Sequence, residues 1–316
     1  MVHEYPRRNH LEVRMSSLLK ANACSPVNTI TFGLIVSGLA VSPMIHAQTQ
    51  PQPHYVAAGD SYASGTGLSP QKDDSGCGRF VENPSAILSA TLNWSDDDRS
   101  CGGAKIATGF LQPQFDFPNE HPAQVEALGP DTRYLSMLFG GNDTSYATSL
   151  YLCVGSQQSN PEIGEPCKRR YEADIEAGIA VLGDDLSDAL DAARQRAPNA
   201  KIVVVGYPSI FPENSFECPF SMDDYAGPLT PADINYFTGA MKRINRVLAD
   251  TARAHGVAFA DMDRHFQGHD ACKEPAERWI ASINVEPGNG WNSALHPNPR
   301  GYAEMAEVMK AAFESQ

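Results

Sequence analysis

Four short apolar segments constrain the fold of this chain more than any other feature. They span residues 55–58, 134–139, 202–205 and 257–260, and glycine directly follows the first three. Their apolar residues are nearly continuous instead of alternating with polar ones, which is typical of strands covered on both faces. We therefore expect a buried sheet whose strands end at turns.

Periodic apolar stripes between and after these segments predict helices, because residues three or four positions apart share one helix face. The stripes are Ile175, Ile179, Leu182, Leu186 and Leu190; Ile234, Phe237, Met241, Ile244 and Leu248; and, in a helix starting near Pro299, Tyr302, Met305, Met309 and Phe313. Strands that alternate with helices predict an α/β fold, a three-layer α/β/α sandwich with a central parallel sheet.

Three polar stretches, residues 69–98, 145–168 and 213–229, interrupt this alternation and hold most of the cysteines. We expect them to be long loops held by disulfides. In the first stretch Asp96, Asp97 and Asp98 are adjacent, whereas a calcium loop spaces its acidic ligands at alternate positions. We therefore expect a solvated turn there.

The first 47 residues differ from the rest. Arg7, Arg8 and Arg14 precede an apolar run at 30–41, and the small residue Ala47 follows it. This is the order of a secretory signal, and the run is well short of the roughly 20 residues that cross a bilayer. We expect residues 1–47 to be a cleaved leader, with the true start at either Met1 or Met15. A linker at 48–53 and a single domain at 54–316 would follow, secreted and with no transmembrane segment.

Charge and cysteine content narrow the class of protein. The chain has 24 Lys and Arg against 38 Asp and Glu, a net charge of -14 that repels nucleic acid and anionic membrane surfaces. Six cysteines follow the expected leader, and an even number favours disulfides in an oxidising compartment. A zinc site is the competing interpretation, but no CxxC pair occurs. The spacing alone leaves the disulfide pairing open.

Polar residues follow two of the predicted strands. Gly-Asp-Ser occupies 59–61, Gly-Gly-Asn-Asp occupies 140–143, and His296 lies just before the last helix. Ligands of α/β sheets bind beyond the carboxyl ends of the strands. We therefore expect Ser61 as nucleophile, Asn142 as oxyanion donor and His296 as general base to meet there. The G-x-S-x-G motif of ordinary α/β-hydrolases is absent, since Ala63 replaces its second glycine.

At these residues the chain resembles the SGNH (GDSL-type) hydrolases, in particular secreted esterases and lipases of actinomycetes and filamentous fungi. The matching blocks are Gly-Asp-Ser-Tyr at 59–62, Cys-Gly-Gly-Ala at 101–104, Gly-Gly-Asn-Asp at 140–143 and His-Pro-Asn at 296–298. Shorter similarities at 77–79, 206–208 and 268–272 extend the match over nearly all of the chain after the leader. The resemblance implies a flavodoxin-like sandwich that uses no cofactor and no metal.

The resemblance also implies a role for each block. Ser61 attacks the ester and His296 takes its proton, while the N–H groups of Ser61 and Gly103 and the Asn142 amide hold the oxyanion. The disulfides that it implies are Cys77–Cys101, Cys153–Cys167 and Cys218–Cys272.

One position departs from the family pattern. Most members have an aspartate three residues before the histidine, and this chain has Ser293. Some secreted members use a main-chain carbonyl instead, so we assign the orientation of His296 to the backbone carbonyl of Ser293. Asp270 and Glu286 are the alternative partners.

These residues predict a secreted serine esterase or lipase that acts on a small-molecule or lipid ester, as a monomer. A carbohydrate acetyl esterase acting on plant polysaccharide is the alternative enzyme. A catalytically inactive binding protein of the same fold is the alternative from another class. The sequence leaves the acyl chain and the alcohol open, and also glycosylation at the Asn93 sequon.

Overall fold

A parallel sheet of five strands forms the centre of the computed structural model, which describes residues 51–218, 228–283 and 293–316. The strands are β1 (His54–Gly59), β2 (Ser95–Asp98), β3 (Gln114–Asp116), β4 (Asn119–His121), β5 (Thr132–Leu138), β6 (Lys201–Val205) and β7 (Ala258–Ala260). The central sheet has the order β2-β1-β5-β6-β7, and β3 and β4 form a separate antiparallel hairpin. All four strands expected from the apolar segments are present, and they pair in parallel.

Two groups of helices pack on this sheet. The helices are α1 (Ser61–Ser64), α2 (Pro84–Leu92), α3 (Tyr146–Ser159), α4 (Pro166–Arg196), α5 (Pro231–Ala254), α6 (Met262–His265) and α7 (Pro299–Glu314). In one group α2 packs on α7, and in the other α3, α4 and α5 pack together. The stripes predicted in α5 and α7 are buried throughout, and that of α4 is buried except for the partly exposed Ile179. These layers confirm the predicted α/β/α sandwich.

The strand order determines where a ligand can bind. After β1 the chain crosses to one side, to β2, and then returns past β1 to β5 and onward to β6 and β7. This is the flavodoxin-like order. The chain connections run in one direction from β1 to β2 and in the opposite direction from β5 onward, so the direction reverses between β1 and β5. The carboxyl ends of β1 and β5 therefore border a crevice at the reversal point. Ser61 and Asn142 follow these two strand ends.

The three adjacent aspartates do not form the solvated turn expected from the sequence. They belong to β2, an edge strand that pairs with β1, with Asp97 opposite Val56. The carboxylate of Asp98 is buried, and it accepts hydrogen bonds from Asn83 at 2.7 Å and from Ser100 at 2.5 Å. An edge strand accommodates such side chains because partners compensate for their burial.

Two of the expected loops contain helices. Residues 69–98 include α2, whose first turn is capped by Asn83 and starts with Pro84, and which ends at Asn93 in the left-handed conformation. Residues 145–168 include α3. Its buried positions mix Leu150 and Val154 with small and polar residues, so its sequence lacks the one-sided apolar stripe on which the helix predictions relied.

The three disulfides implied by the resemblance are confirmed: Cys77–Cys101, Cys153–Cys167 and Cys218–Cys272. The first joins the segment after α1 to the chain just before Gly103. The second joins α3 to the start of α4, and the third ties the segment after β6 to the segment after α6. Each bridge therefore braces chain that follows the carboxyl end of a strand.

The expected leader at 1–47 and the first linker residues lie outside the described residues. No helix within the described ranges is long and apolar enough to span a bilayer.

Candidate active site

Ser61 lies where β1 turns directly into α1. A Cβ on Gly59 would lie 2.6 Å from that of Ala63, so the strand has to end in glycine. The carboxylate of Asp60 caps α1 by accepting the N–H of Tyr62 at 2.9 Å. Ser61 is the first residue of α1, so its N–H has no acceptor in a preceding helical turn.

A side-chain amide fixes the end of β1. Gln124 is 3% exposed, and its Oε1 accepts the Gly59 N–H at 2.7 Å while its Nε2 donates to the Gly59 carbonyl at 3.0 Å. This pair of hydrogen bonds holds the backbone two residues before Ser61.

His296 reaches Ser61 from the other end of the chain. Its Nε2 lies 2.8 Å from Ser61 Oγ, across 235 positions of sequence. Asn298 caps α7 directly afterwards by accepting the Gly301 N–H at 2.9 Å, which fixes the backbone that carries the imidazole. The ring is 7% exposed and packs against the ring of Tyr62. The structure thus brings together the nucleophile and base candidates of the sequence.

The carbonyl beside the other ring nitrogen is not the one assigned from the sequence. His296 Nδ1 lies 3.1 Å from the carbonyl oxygen of Ala294, whereas the Ser293 carbonyl accepts the backbone N–H of His296 at 3.1 Å. The assignment to Ser293 is therefore wrong by one residue. Leu295 has a φ of 61°, and this left-handed turn between the two residues brings the Ala294 carbonyl to the ring.

Two tyrosine hydroxyls hold the backbone that precedes His296. The Tyr151 hydroxyl donates to the Ala294 carbonyl at 2.7 Å and lies 3.2 Å from His296 Nδ1. The Tyr62 hydroxyl donates to the Leu295 carbonyl at 2.5 Å. The sequence analysis missed Tyr151 because it expected a loop where α3 lies.

The imidazole is held by neutral groups. Within the described residues its hydrogen-bonding neighbours are Ser61, Tyr151 and the Ala294 carbonyl. Asp270 instead accepts the N–H of Cys272 at 2.9 Å, and Glu286 lies outside the described residues. Burial lowers the pKa of His296 to about 4, and the Ala294 carbonyl only partly opposes this effect. The His296 imidazole is therefore neutral at pH values well above 4.

Gly103 and Asn142 border the same cavity as Ser61 and His296. Gly103 has a φ of 76°, a left-handed conformation that glycine adopts without strain. The Asn142 Nδ2 donates to the Ala104 carbonyl at 3.1 Å and lies 3.4 Å from Asp60. An oxyanion on the ester would therefore compete with the Ala104 carbonyl for one hydrogen bond from the Asn142 amide.

A buried carboxylate organises this side of the site. Asp60 is 2% exposed, and its Oδ2 accepts the hydroxyl proton of Tyr207 at 2.5 Å. The same hydroxyl accepts the Gly141 N–H at 2.9 Å, which ties the end of β1 to the turn after β5. Burial raises the pKa of Asp60 to about 7, against hydrogen bonds that favour the charged form. Tyr207 directly follows the glycine after β6. The search for site residues just after the carboxyl ends of strands, which located Ser61, could therefore also have found Tyr207.

A second carboxylate fixes the Gly103 segment. Asp143 accepts the N–H of Ile106 at 2.7 Å and that of Gly140 at 3.0 Å. It thereby joins the turn after β5 to the chain that follows Gly103. An aspartate therefore holds each of the two regions, around Gly103 and around Asn142, that the sequence predicts as oxyanion donors.

The cavity has a volume of about 210 Å³ and extends from Ser61 between α3 and α5. Its wall is mainly apolar and includes Tyr146, Leu150, Ile210 and Met241. Such a wall suits the hydrocarbon part of an acyl group.

Residues with metal-like spacing have other partners. The two buried groups within the described chain each contain a disulfide, Cys77–Cys101 or Cys153–Cys167, so their sulfurs are not thiolates. His265 and His269 are four positions apart, but α6 ends at His265, and both rings pack on Trp279.

Comparisons with known proteins agree with this geometry. The GDSL-like lipase/acylhydrolase family matches residues 57–304, which include all the site residues named above. Lipase 2 of Streptomyces coelicolor is 32% identical over 89% of this chain and 92% of its own. The crystal structure of phospholipase A1 from Streptomyces albidoflavus has a TM-score of 0.65 at 26% identity, covering 83% of this chain and 99% of that one. An extracellular lipase of Streptomyces rimosus has a TM-score of 0.65 at 27% identity, covering 82% and 99%.

The match covers most of the chain, and the relatives are lipases and esterases. The chain therefore belongs to the GDSL-like lipase/acylhydrolase family, the SGNH hydrolases, and is a carboxylic ester hydrolase.

Proposed function

We propose that this protein is a secreted esterase or lipase that forms an acyl-enzyme on Ser61, with His296 as general base. The observation that carries the proposal is the 2.8 Å contact between Ser61 Oγ and His296 Nε2, in a cavity shared with Gly103 and Asn142.

In the first step Ser61 Oγ attacks the ester carbonyl carbon while its proton passes to His296 Nε2. The carbonyl π bond opens to an oxyanion, which accepts hydrogen bonds from the N–H groups of Ser61 and Gly103 and from the Asn142 amide. The bond to the alcohol then breaks, and His296 returns the proton to the leaving oxygen. Water, deprotonated by His296, repeats the sequence on the acyl-enzyme and releases the acid.

The Ala294 carbonyl and Tyr151 take the place of the usual carboxylate in this scheme. A carbonyl at Nδ1 selects the tautomer that leaves Nε2 free to accept the serine proton. It provides no full negative charge to stabilise the imidazolium, so the cost of charging His296 is met mainly by the oxyanion beside it.

Lipid and simple carboxylic esters are the proposed substrates. The apolar cavity wall supports this class, and so do the names of the relatives, which include lipases, an esterase and a phospholipase A1.

Secretion is also proposed. The leader at 1–47, the pairing of all six later cysteines and the extracellular origin given for the Streptomyces rimosus lipase support it. Expression with the leader should release protein that begins at Gln48, as read by N-terminal sequencing.

The proposed chemistry is tested by labelling with a fluorophosphonate and reading the intact mass. Wild-type protein should carry one adduct, and Ser61→Ala should carry none. Ser64→Ala is the matched control, since Ser64 lies on the same short helix with its hydroxyl directed to the Ser61 carbonyl. It should label normally. Failure of folded wild-type protein to label would overturn the acyl-enzyme proposal.

The acyl group is tested with p-nitrophenyl acetate, butyrate and palmitate. A preference for the longer chains would support lipid esters. Activity on acetate alone, together with release of acetate from acetylated xylan, would favour the carbohydrate esterase instead.

A further inference from the structure

The hairpin of β3 and β4 presents two phenylalanines to solvent. Phe115 is 69% exposed in β3, and Phe117 is 84% exposed in the turn that follows. Large aromatic side chains are usually buried, because their removal from water is favourable. Two of them exposed together at one tip indicate a surface that is covered during function.

Several exposed apolar side chains lie in segments that follow the strand ends bordering the active site. In the described chain the large ones are Val81, Phe115, Phe117, Leu152, Ile163, Val181 and Phe216. Leu152 lies within α3 and Val181 within α4, and the other five lie in connections that follow the carboxyl ends of β1, β2, β5 or β6. Those strand ends are the edge at which Ser61 and His296 meet.

The hairpin is attached to the wall of the catalytic cavity. Gln114, the residue before Phe115, donates its Nε2 to the Gly102 carbonyl at 2.7 Å. The same nitrogen lies 3.8 Å from where a Cβ on Gly103 would be. At the other end of the hairpin His121 is buried. The position of the tip relative to the oxyanion donors is therefore fixed by direct contacts.

The charges around the tip select the kind of surface that it fits. Asp116 and Glu120 are exposed beside the phenylalanines. The two arginines that line a pocket with the base of the hairpin, Arg79 and Arg99, are paired with Asp73 and Asp97. The whole chain carries a net charge of -14. An anionic surface would be repelled, whereas an uncharged or zwitterionic one presents no such barrier.

We propose that Phe115 and Phe117 insert into the surface of a neutral or zwitterionic lipid aggregate and so hold the catalytic cavity against its substrate. This inference rests on the proposed function, in that the substrate is a lipid ester. It makes the hairpin an interfacial anchor next to the oxyanion hole, separate from the acyl cavity.

The test compares three proteins in the Ser61→Ala background, which prevents hydrolysis during binding. Sedimentation with phosphatidylcholine vesicles should show binding by the parent and at least tenfold weaker binding by Phe115→Ser/Phe117→Ser. Val181→Ser is the matched control, since it removes an exposed apolar side chain from α4, and it should bind like the parent. Added phosphatidylglycerol should weaken binding.

Activity separates the anchor from the chemistry. With Ser61 restored, Phe115→Ser/Phe117→Ser should keep the wild-type kcat/KM on soluble p-nitrophenyl butyrate and lose at least tenfold on emulsified long-chain ester. Equal losses on both substrates would mean that the hairpin supports the oxyanion hole, and would overturn the anchor. Undiminished vesicle binding by the double variant would also overturn it.

A second measurement does not depend on removing the side chains. Phe117→Trp should gain blue-shifted fluorescence over wild-type protein when phosphatidylcholine vesicles are added, and no shift would contradict insertion. Vesicle binding without any ester hydrolysis would sink the proposed function while leaving the anchor intact. Hydrolysis of soluble esters without vesicle binding would do the reverse.

Discussion

Different chemical groups hold the two sides of the site: the side around Ser61, the nucleophile side, and the side around His296, the base side. On the nucleophile side two carboxyl groups, the buried Asp60 and the partly buried Asp143, accept backbone N–H groups of the segments that carry the proposed oxyanion donors. On the base side His296 is held by the Ala294 carbonyl and by Tyr151, which are neutral. Carboxyl groups thus hold the turns on the nucleophile side, whereas the described hydrogen-bonding neighbours of the His296 ring are uncharged.

Burial shifts the pKa values of the groups on the two sides in opposite directions. It raises the pKa of Asp60 to about 7 and lowers that of His296 to about 4, because in each case it disfavours the charged form. His296 is therefore neutral at rest, which suits the general-base role proposed for it, and the proposed oxyanion donors are already oriented.

The largest effect is expected on the donor side. Asn142→Ala removes a proposed oxyanion donor and should lower kcat by about 10²–10³, the usual cost of losing one such donor. Thr148→Ala, at the exposed rim of the same cavity, is the control and should keep wild-type kcat. A loss below about fivefold in steady-state hydrolysis would mean that the amide serves only the Asp60 and Ala104 contacts.

The pH profile tests the neutral base side. The proposed mechanism requires neutral His296, so kcat/KM should stay level as the pH falls and decline only as it passes about 4. A histidine with the ordinary pKa of about 6.5 would be mostly protonated at pH 5. An acid limb with its midpoint near 6.5, in both hydrolysis and fluorophosphonate labelling, would indicate an unrecognised carboxylate partner.

Tyr207→Phe tests the network on the nucleophile side through stability. It leaves the Gly141 N–H and one Asp60 oxygen without the Tyr207 hydroxyl, which should cost about 1–3 kcal/mol of unfolding free energy in urea. Tyr236→Phe is the matched control, because its buried hydroxyl has no partner among the described residues. Equal effects of the two variants would refute the proposed contribution of Tyr207.

Tyr151→Phe tests the base side directly. It removes the hydroxyl beside His296 Nδ1 and should lower kcat by about tenfold with little change in KM, the loss of one modest hydrogen bond in the transition state. Tyr146→Phe changes the same helix and cavity, but its hydroxyl has no partner in the described chain, so kcat should hold. Similar losses in both variants would show that tyrosine packing, and not the hydroxyl, matters.

The smallest effect is expected at Ser293. Ser293 occupies the position where the family pattern has aspartate. Because His296 Nδ1 faces the Ala294 carbonyl and the Tyr151 hydroxyl, Ser293→Ala should change kcat/KM by less than about twofold. Steady-state kinetics on p-nitrophenyl butyrate would detect a larger loss, which would restore a role for the serine hydroxyl.

The sequence predicted the strands that are buried on both faces and the helices that bury one apolar face. The core strands and the helices α4, α5 and α7 follow from apolar segments and stripes. β2 was missed because three aspartates do not resemble a strand, and their partners Asn83 and Ser100 only become visible in three dimensions. α3 was missed because it buries small and polar residues against its neighbours.

The placement of the candidate site residues was predictable where they follow a strand end, as for Ser61 and Asn142. The His296 block lies before a helix whose stripe was evident. The orienting carbonyl was misplaced because the positive φ of Leu295 has no signature in a leucine. Tyr151 could not be predicted for a different reason: it belongs to no sequence motif, and it contacts the site because α3 packs beside it.

The 235-residue separation between Ser61 and His296 bears on when activity appears during synthesis. The nucleophile emerges from the ribosome early, but the base comes just before the final helix, and Tyr62 and Thr66 bond to Leu295 and Tyr302 only after that helix docks. With Ser61 and His296 in their proposed roles, a nascent or truncated chain would have the serine without its base. Ester hydrolysis would then begin only once the C-terminal segment has folded onto the first strand and its helix.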